Sequence, residues 1–126
     1  MSKSEVESIS ERFVEASIAM YERYMRNDGV GGRRAGIERN NCYCKLRDLG
    51  EEGIAGLRRL MQHANMAVRL SAASRYCFID KYQGLTAIQA LAKNCNSYPL
   101  GSLERKVAFT ASSLIDLAVS PEQSPS

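Results

Sequence analysis

The stretch from residue 66 to residue 95 constrains the fold most strongly, because its apolar residues recur at helical spacing in two successive blocks. In the first block the apolar side chains follow one another at steps of three or four: Val68, Ala72, Tyr76 and Ile79. Residues at these steps share one face of an α-helix. The first block is therefore predicted to be a helix that buries one broad face.

The second block begins where Asp80 interrupts the first pattern. Asp80 and Gln83 form an Asp-x-x-Gln capping box, which marks the start of a new helix. The apolar residues that follow again lie three or four apart: Leu85, Ile88, Leu91, Ala92 and Cys95. We therefore predict a helical hairpin whose apolar faces turn toward each other and toward neighbouring helices.

The rest of the chain shows the same alternation of capping residues and apolar stripes. The other predicted helices cover about residues 4–27, 33–49, 51–63 and 102–118, with caps at Ser4, Asp48 and Ser102. Asn65 is the predicted cap of the hairpin's first helix. No alternating run of Val and Ile predicts a strand. We predict one all-α domain of about six helices over residues 1–118. Residues 119–126 are rich in Pro and Ser, which predicts a disordered tail.

Two segments 31 residues apart resemble each other. Gly53 and Gly84 are both followed by apolar residues at the same offsets, and periods of this length are typical of stacked helix pairs. The alternative is that any two amphipathic helices of this length match equally well. Small side chains favour close helix packing, and they recur at Ala72, Ala73, Ala108 and Ala111. We predict a short right-handed α-α superhelix of the HEAT or armadillo type.

Residues Ala67 to about Ala118 are similar to a bacterial domain family of unknown function, DUF2019. The matching positions are Val68, Arg69, Ala72, Ala73, Leu85 and Leu91. The sequence departs from the family at Asp80-Lys-Tyr-Gln, where the family has a turn that contains Pro. The resemblance implies an α-α superhelix and no known activity. Small helical-repeat proteins of this kind are sometimes encoded beside bacterial toxins and act as immunity proteins.

Composition excludes several classes of protein. The 17 basic and 14 acidic residues give a net charge of +3, which is too small to require a nucleic acid or a membrane surface as partner. No stretch predicts a membrane span, and the N-terminus does not resemble a signal peptide. We therefore expect a cytoplasmic protein with free thiols at Cys42, Cys44, Cys77 and Cys95. A zinc site with His63 and a Cys77–Cys95 disulfide are the two alternatives.

No residue pattern predicts catalysis or a cofactor. Cys42 and Cys44 would point about 200° apart on a helix, which disfavours joint metal binding. His63 lies near a helix end without an acidic partner, so we expect it to have a structural role. The segment from Gly29 to Arg34 could cradle a phosphate, but we interpret it as a flexible connector. We predict that the protein has no cofactor and is not an enzyme.

The middle of the chain is its most basic part. Residues 29–64 contain seven basic and four acidic residues. The predicted partner-binding residues lie in this segment: Arg33, Arg34, Tyr43, Arg47, Arg58 and Arg59. The favoured hypothesis is non-catalytic binding of another protein, in its most specific form inhibition of a bacterial toxin. The alternative is nucleic-acid binding through the basic segment 33–59. A membrane is not expected as a partner.

Overall fold

A computed structural model describes residues 4–119, and within this range the chain forms six α-helices and no strand. The helices are α1 (Glu5–Met25), α2 (Gly29–Asp48), α3 (Glu51–Leu60), α4 (Met66–Tyr76), α5 (Lys81–Ala92) and α6 (Leu103–Val119). A single 3₁₀ turn, Cys95–Ser97, lies between α5 and α6. The predicted all-α class with about six helices is confirmed. Of the predicted tail, Val119 ends α6, and residues 120–126 lie outside the described residues.

Four helices begin at the polar residues that the sequence indicates. Each cap accepts a hydrogen bond from a backbone N–H in the first helical turn: Ser4 from Glu7 (3.1 Å), Asn65 from Ala67 (2.8 Å), Asp80 from Gln83 (3.1 Å) and Ser102 from Arg105 (3.1 Å). The first turn of a helix has no internal partners for these N–H groups, so each bond fixes a helix start. Local side-chain chemistry thus sets these four boundaries.

The interpretation of Gly29–Arg34 as a flexible connector is wrong, because these residues form the first turns of α2. The Asp28 side chain caps this helix by accepting a 2.8 Å hydrogen bond from the Gly31 N–H. A Cβ atom at Gly32 would approach the Tyr24 ring to 2.8 Å. The glycines therefore allow α2 to start close against the end of α1, and the chain reverses within a short turn.

The predicted cap at Asp48 is also wrong. Asp48 is the last residue of α2, and the N-cap position of α3 is occupied by Gly50, which has a φ of 74°. Glycine adopts this left-handed conformation readily, so the chain turns between α2 and α3 without a side-chain cap. The third helix is held instead by its apolar face, which places Leu57 and Leu60 in the core.

Helix α4 lies at the centre of the fold and packs against α1, α3, α5 and α6. Val68, Ala72 and Ala73 are fully buried, and their small volume lets the neighbouring helices approach closely. One apolar cluster connects residues from all six helices. Ile37 of α2 and Ala118 of α6 lie outside this cluster and are exposed.

Equivalent corners join α2 to α3 and α4 to α5. Gly53 lies against the backbone carbonyl of Leu46, and Gly84 lies against the backbone of Cys77, seven residues earlier in both cases. This shared geometry supports the 31-residue repeat. However, α1 contacts α2, α3, α4 and α6, whereas repeats in an open solenoid contact only their neighbours. The superhelical arrangement stays a prediction.

Candidate functional site

The six predicted binding residues do not form one surface. Arg34 lines a shallow groove between α1 and α2, next to Arg12 and Glu38. Arg59 lies in two depressions between α1 and α3. Arg33 and Arg47 are exposed near opposite ends of α2. The helices thus distribute these basic side chains over several faces of the molecule.

Two of the six residues have structural roles that the sequence did not reveal. Tyr43 is only 7% exposed and belongs to the core, so it is not the accessible anchor that was predicted. Arg58 makes a contact within the protein, because its Nε and Nη2 atoms donate to the Tyr76 hydroxyl at 3.2 and 3.1 Å. These contacts tie α3 to α4.

A different group of polar and aromatic residues comes together between α2 and α4. We call it the arginine seam, and it consists of Arg39, Asn40, Tyr43, Ser71, Arg75 and Phe78. The backbones of α2 and α4 do not pack closely against each other. Long side chains span the gap, which leaves polar groups in a partly buried position.

One neutral oxygen is shared by the two arginines of the seam. Arg39 Nη2 donates to Asn40 Oδ1 at 3.2 Å, and Arg75 Nη1 donates to the same atom at 3.0 Å. Arg39 Nη1 also donates to Ser71 Oγ at 3.4 Å. The Nε atoms of both arginines are buried and have no hydrogen-bond partner among the described residues. The seam therefore retains unused donors.

The charges of the seam are not balanced by an acid. Within residues 4–119, neither Arg39 nor Arg75 forms an ion pair with a carboxylate. Burial lowers the pKa of Arg39 to about 10, and the positive charge of Arg75 acts in the same direction. Burial also raises the pKa of the neighbouring Tyr21 to about 12, against the opposing effect of both arginines. The site is thus a half-buried region of positive charge.

The raised pKa of Tyr21 predicts a specific loss of stability in alkali. A tyrosine in the unfolded chain loses its proton near pH 10. The contribution of neutral Tyr21 to the free energy of unfolding is therefore fully present below that pH and is lost as the pH rises toward 12. Tyr21→Phe is expected to reduce the fall in unfolding free energy over this window by on the order of 1–2 kcal/mol. Urea denaturation at successive pH values measures the free energy of unfolding of both proteins.

Arg39 also changes its protonation in this pH range and opposes the effect of Tyr21. Its lowered pKa makes stability rise with pH in the same window, but Arg39 is present in both proteins. Because Tyr21 itself raises the pKa of Arg39, the difference between wild type and Tyr21→Phe reports the tyrosine together with its interaction with Arg39. Parallel pH profiles for the two proteins would contradict the assignment.

An apolar groove of about 660 Å³ continues from the seam across α4, α5 and α6. Its lining contains Ser74, Arg75, Cys77, Phe78, Lys81, Leu85, Ile88, Leu114, Leu117 and Ala118. Among these described residues two are basic and none is acidic. We call this surface the α4–α6 groove, and Arg75 and Phe78 belong to both it and the seam.

Phe78 stands at the junction of the two surfaces and is 73% exposed. The Arg75 guanidinium lies 5.3 Å from the centre of its ring, and the Tyr43 ring centre lies 6.4 Å away. Tyr43 in turn has the Arg47 guanidinium 5.8 Å from its ring centre. These contacts support an aromatic side chain on the surface instead of burying it.

The other candidate chemical groups are separated from one another. No cluster of three or more His, Cys, Asp or Glu side chains in the described chain could hold a metal ion. All four cysteines are free, which contradicts the alternative of a Cys77–Cys95 disulfide. His63 Nδ1 accepts a 3.0 Å hydrogen bond from the Asn65 N–H, so it stabilises the turn between α3 and α4.

Of the seam residues, only Tyr43 was among the predicted binding residues. Phe78 offered one usable signal, since it lies between the stripe residues Tyr76 and Ile79 but off their face. A large aromatic residue outside a buried stripe indicates an exposed position. The pairing of Asn40 with Arg75 had no such signal, because the two residues are 35 positions apart.

No protein-family model, curated protein sequence or solved structure matches this chain. The similarity to DUF2019 therefore stays a prediction. Among residues 4–119, every helix is too short or too polar to cross a lipid bilayer.

Proposed function

We propose that this protein is a non-catalytic binding domain for another protein, which it holds on the arginine seam and the α4–α6 groove. The observation that supports this proposal most strongly is the exposed Phe78 ring between Arg75 and Tyr43. Aromatic and arginine side chains are the commonest anchors of protein interfaces. A supported ring also loses little conformational freedom when a partner covers it.

The surface has the composition of an interface. An apolar centre formed by Phe78, Leu85 and Leu117 is bordered by the basic side chains of Arg75 and Lys81. Interfaces that bind a partner segment typically combine such an apolar centre with a charged rim. Residues at the end of α4 and along α5 and α6 together form this surface.

The most specific form of the proposal is that the partner is a bacterial toxin, which the domain inhibits by covering its active face. This form rests on the resemblance to DUF2019. The nucleic-acid alternative has less support, because Arg34 and Arg59 lie in different grooves and Arg58 contacts Tyr76. Binding to nucleic acid that weakens steeply with salt, and that Phe78→Ala leaves unchanged, would favour the alternative.

The direct experiment is to capture the partner with the immobilised wild-type protein and then measure affinities. Phe78→Ala is expected to weaken binding by about thirtyfold or more. Loss of an aromatic side chain that the partner buries in the complex costs about 2 kcal/mol or more. Isothermal titration calorimetry measures the change. Unfolding in urea verifies that the variant remains folded, as expected for an exposed side chain.

Phe109→Ala is the matched control. Phe109 is also a phenylalanine on a helix, is 62% exposed, and lines a separate depression with Tyr24 and Met25. Its removal is expected to change the affinity by less than about threefold. Equal losses in the two variants, or a loss only in Phe109→Ala, would contradict the proposed surface.

A further inference from the structure

We propose that Arg39 and Arg75 together bind one carboxylate group of an acidic peptide segment, at the position where Asn40 now supplies a neutral oxygen. The inference rests on the proposed function in that it names the chemistry of the partner segment. The binding step itself concerns only the arginine seam. It can therefore be tested without knowing the partner.

The first reason is the arrangement of the donors. Both guanidinium groups reach the same Asn40 oxygen, at 3.2 and 3.0 Å, so their donors converge on one point. Each arginine carries five N–H donors in a planar fork that matches a carboxylate. The two buried Nε atoms lack partners among residues 4–119. Because both Nε atoms are buried, an incoming oxyanion would take the Nη donors that now meet on Asn40.

The second reason is the cost of the charges. Two guanidinium groups in a partly buried place repel each other, and an amide oxygen cannot neutralise either of them. The titratable groups that act on Arg39 are Arg75, Tyr21 and Tyr24, and none of these is a carboxylate. A carboxylate between the arginines would remove this cost and form charge-assisted hydrogen bonds.

The third reason is the surface beside the pair. Arg75 belongs also to the α4–α6 groove, where Phe78 and Leu117 are exposed apolar residues. A free inorganic anion would use only the arginines. A peptide with an acidic residue near apolar ones would use the arginines and the groove together, so the surface favours a peptide.

Hexaglutamate is a suitable probe, measured by isothermal titration calorimetry at low salt with the intact protein. The wild type is expected to bind it, and Arg39→Gln and Arg75→Gln are each expected to weaken binding about tenfold or more. Arg33→Gln, which removes an exposed arginine of the same helix outside the seam, is the control. It should change the affinity by less than about twofold.

Asn40→Asp separates loss of the site from loss of the fold. The new carboxylate would occupy the shared position from within the chain, so the variant is expected to unfold at a higher temperature than wild type. It is also expected to bind hexaglutamate about tenfold or more weakly, because the arginines are already paired. Asn40→Asp and Arg33→Gln change the net charge equally, so total charge cannot explain a difference between them.

Three results would overturn the inference. These are absence of hexaglutamate binding by the wild type, an equal loss in Arg33→Gln, or binding of inorganic phosphate under the same conditions without binding of hexaglutamate. If Phe78→Ala loses the captured partner while the seam variants bind hexaglutamate normally, the inference fails and the proposed function stands. If the seam variants behave as expected while Phe78→Ala keeps its partner, the proposed function fails and the carboxylate site stands.

Discussion

Gly53→Ala is expected to lower the free energy of unfolding by about 3 kcal/mol or more. The added Cβ atom would overlap the backbone carbonyl oxygen of Leu46, and it would also meet the Leu49 side chain. Backbone atoms cannot rotate away, so α2 and α3 would have to separate. Separation would loosen the packing of Leu46 and Leu57, which are fully buried.

Helix propensity alone predicts that Gly53→Ala would raise the free energy of unfolding, because alanine stabilises a helix by about 1 kcal/mol relative to glycine. Gly29→Ala is the control that isolates this term, since nothing lies within 4 Å of a Cβ atom at Gly29. Gly29→Ala is expected to be neutral or slightly stabilising. Urea denaturation of the three proteins measures both effects, and equal stability of the two variants would contradict the close approach of α3 to α2.

Gly84→Ala is expected to lower the free energy of unfolding by about 2–3 kcal/mol. Its Cβ atom would lie 2.8 Å from the Cys77 backbone nitrogen and 2.9 Å from the Ala73 carbonyl oxygen. Both atoms belong to the end of α4, so relief requires α5 to move. The movement would disturb Ile88 and Leu91, which α5 contributes to the core.

A second substitution tests whether the backbone or the Cys77 side chain limits the space at Gly84. Cys77 Sγ would also lie 2.5 Å from the new Cβ atom. In a Cys77→Ala background this obstacle is absent, whereas both backbone obstacles remain. Thermal unfolding should therefore still show most of the loss caused by Gly84→Ala. Full recovery in the double variant would contradict the backbone explanation.

The helix starts were predictable from the sequence because they depend on residues close together in the chain. The caps at Asn65 and Asp80 bind N–H groups two or three residues away, so capping patterns contain the necessary information. The same is true of the buried stripe that includes Val68 and Ala72. These features specify helices and their buried faces.

The glycine-rich start of α2 was mispredicted because composition and packing disagree there. Glycine lowers helix propensity, which favoured a connector. The cap from Asp28 and the close approach of Gly32 to Tyr24 stabilise the helix nevertheless. Such a tertiary contact becomes visible only when α1 and α2 are placed side by side.

The candidate site could not be predicted from the sequence for a related reason. Its hydrogen bonds join Arg39 to Ser71 and Asn40 to Arg75, which are 32 and 35 residues apart. Arginines close together in the chain were predicted to share one surface, whereas helix packing distributes them over different faces. The seam arises because α2 and α4 leave a gap that only long side chains can cross.

Photo-crosslinking tests the central claim most directly, that the face around Phe78 binds a protein. A benzoylphenylalanine placed at Phe78 is compared with one at Phe109 in the cells that produce the protein. We expect one discrete protein adduct from position 78 and none from position 109. Adducts of equal yield at both positions, or an adduct from position 109 alone, would contradict it.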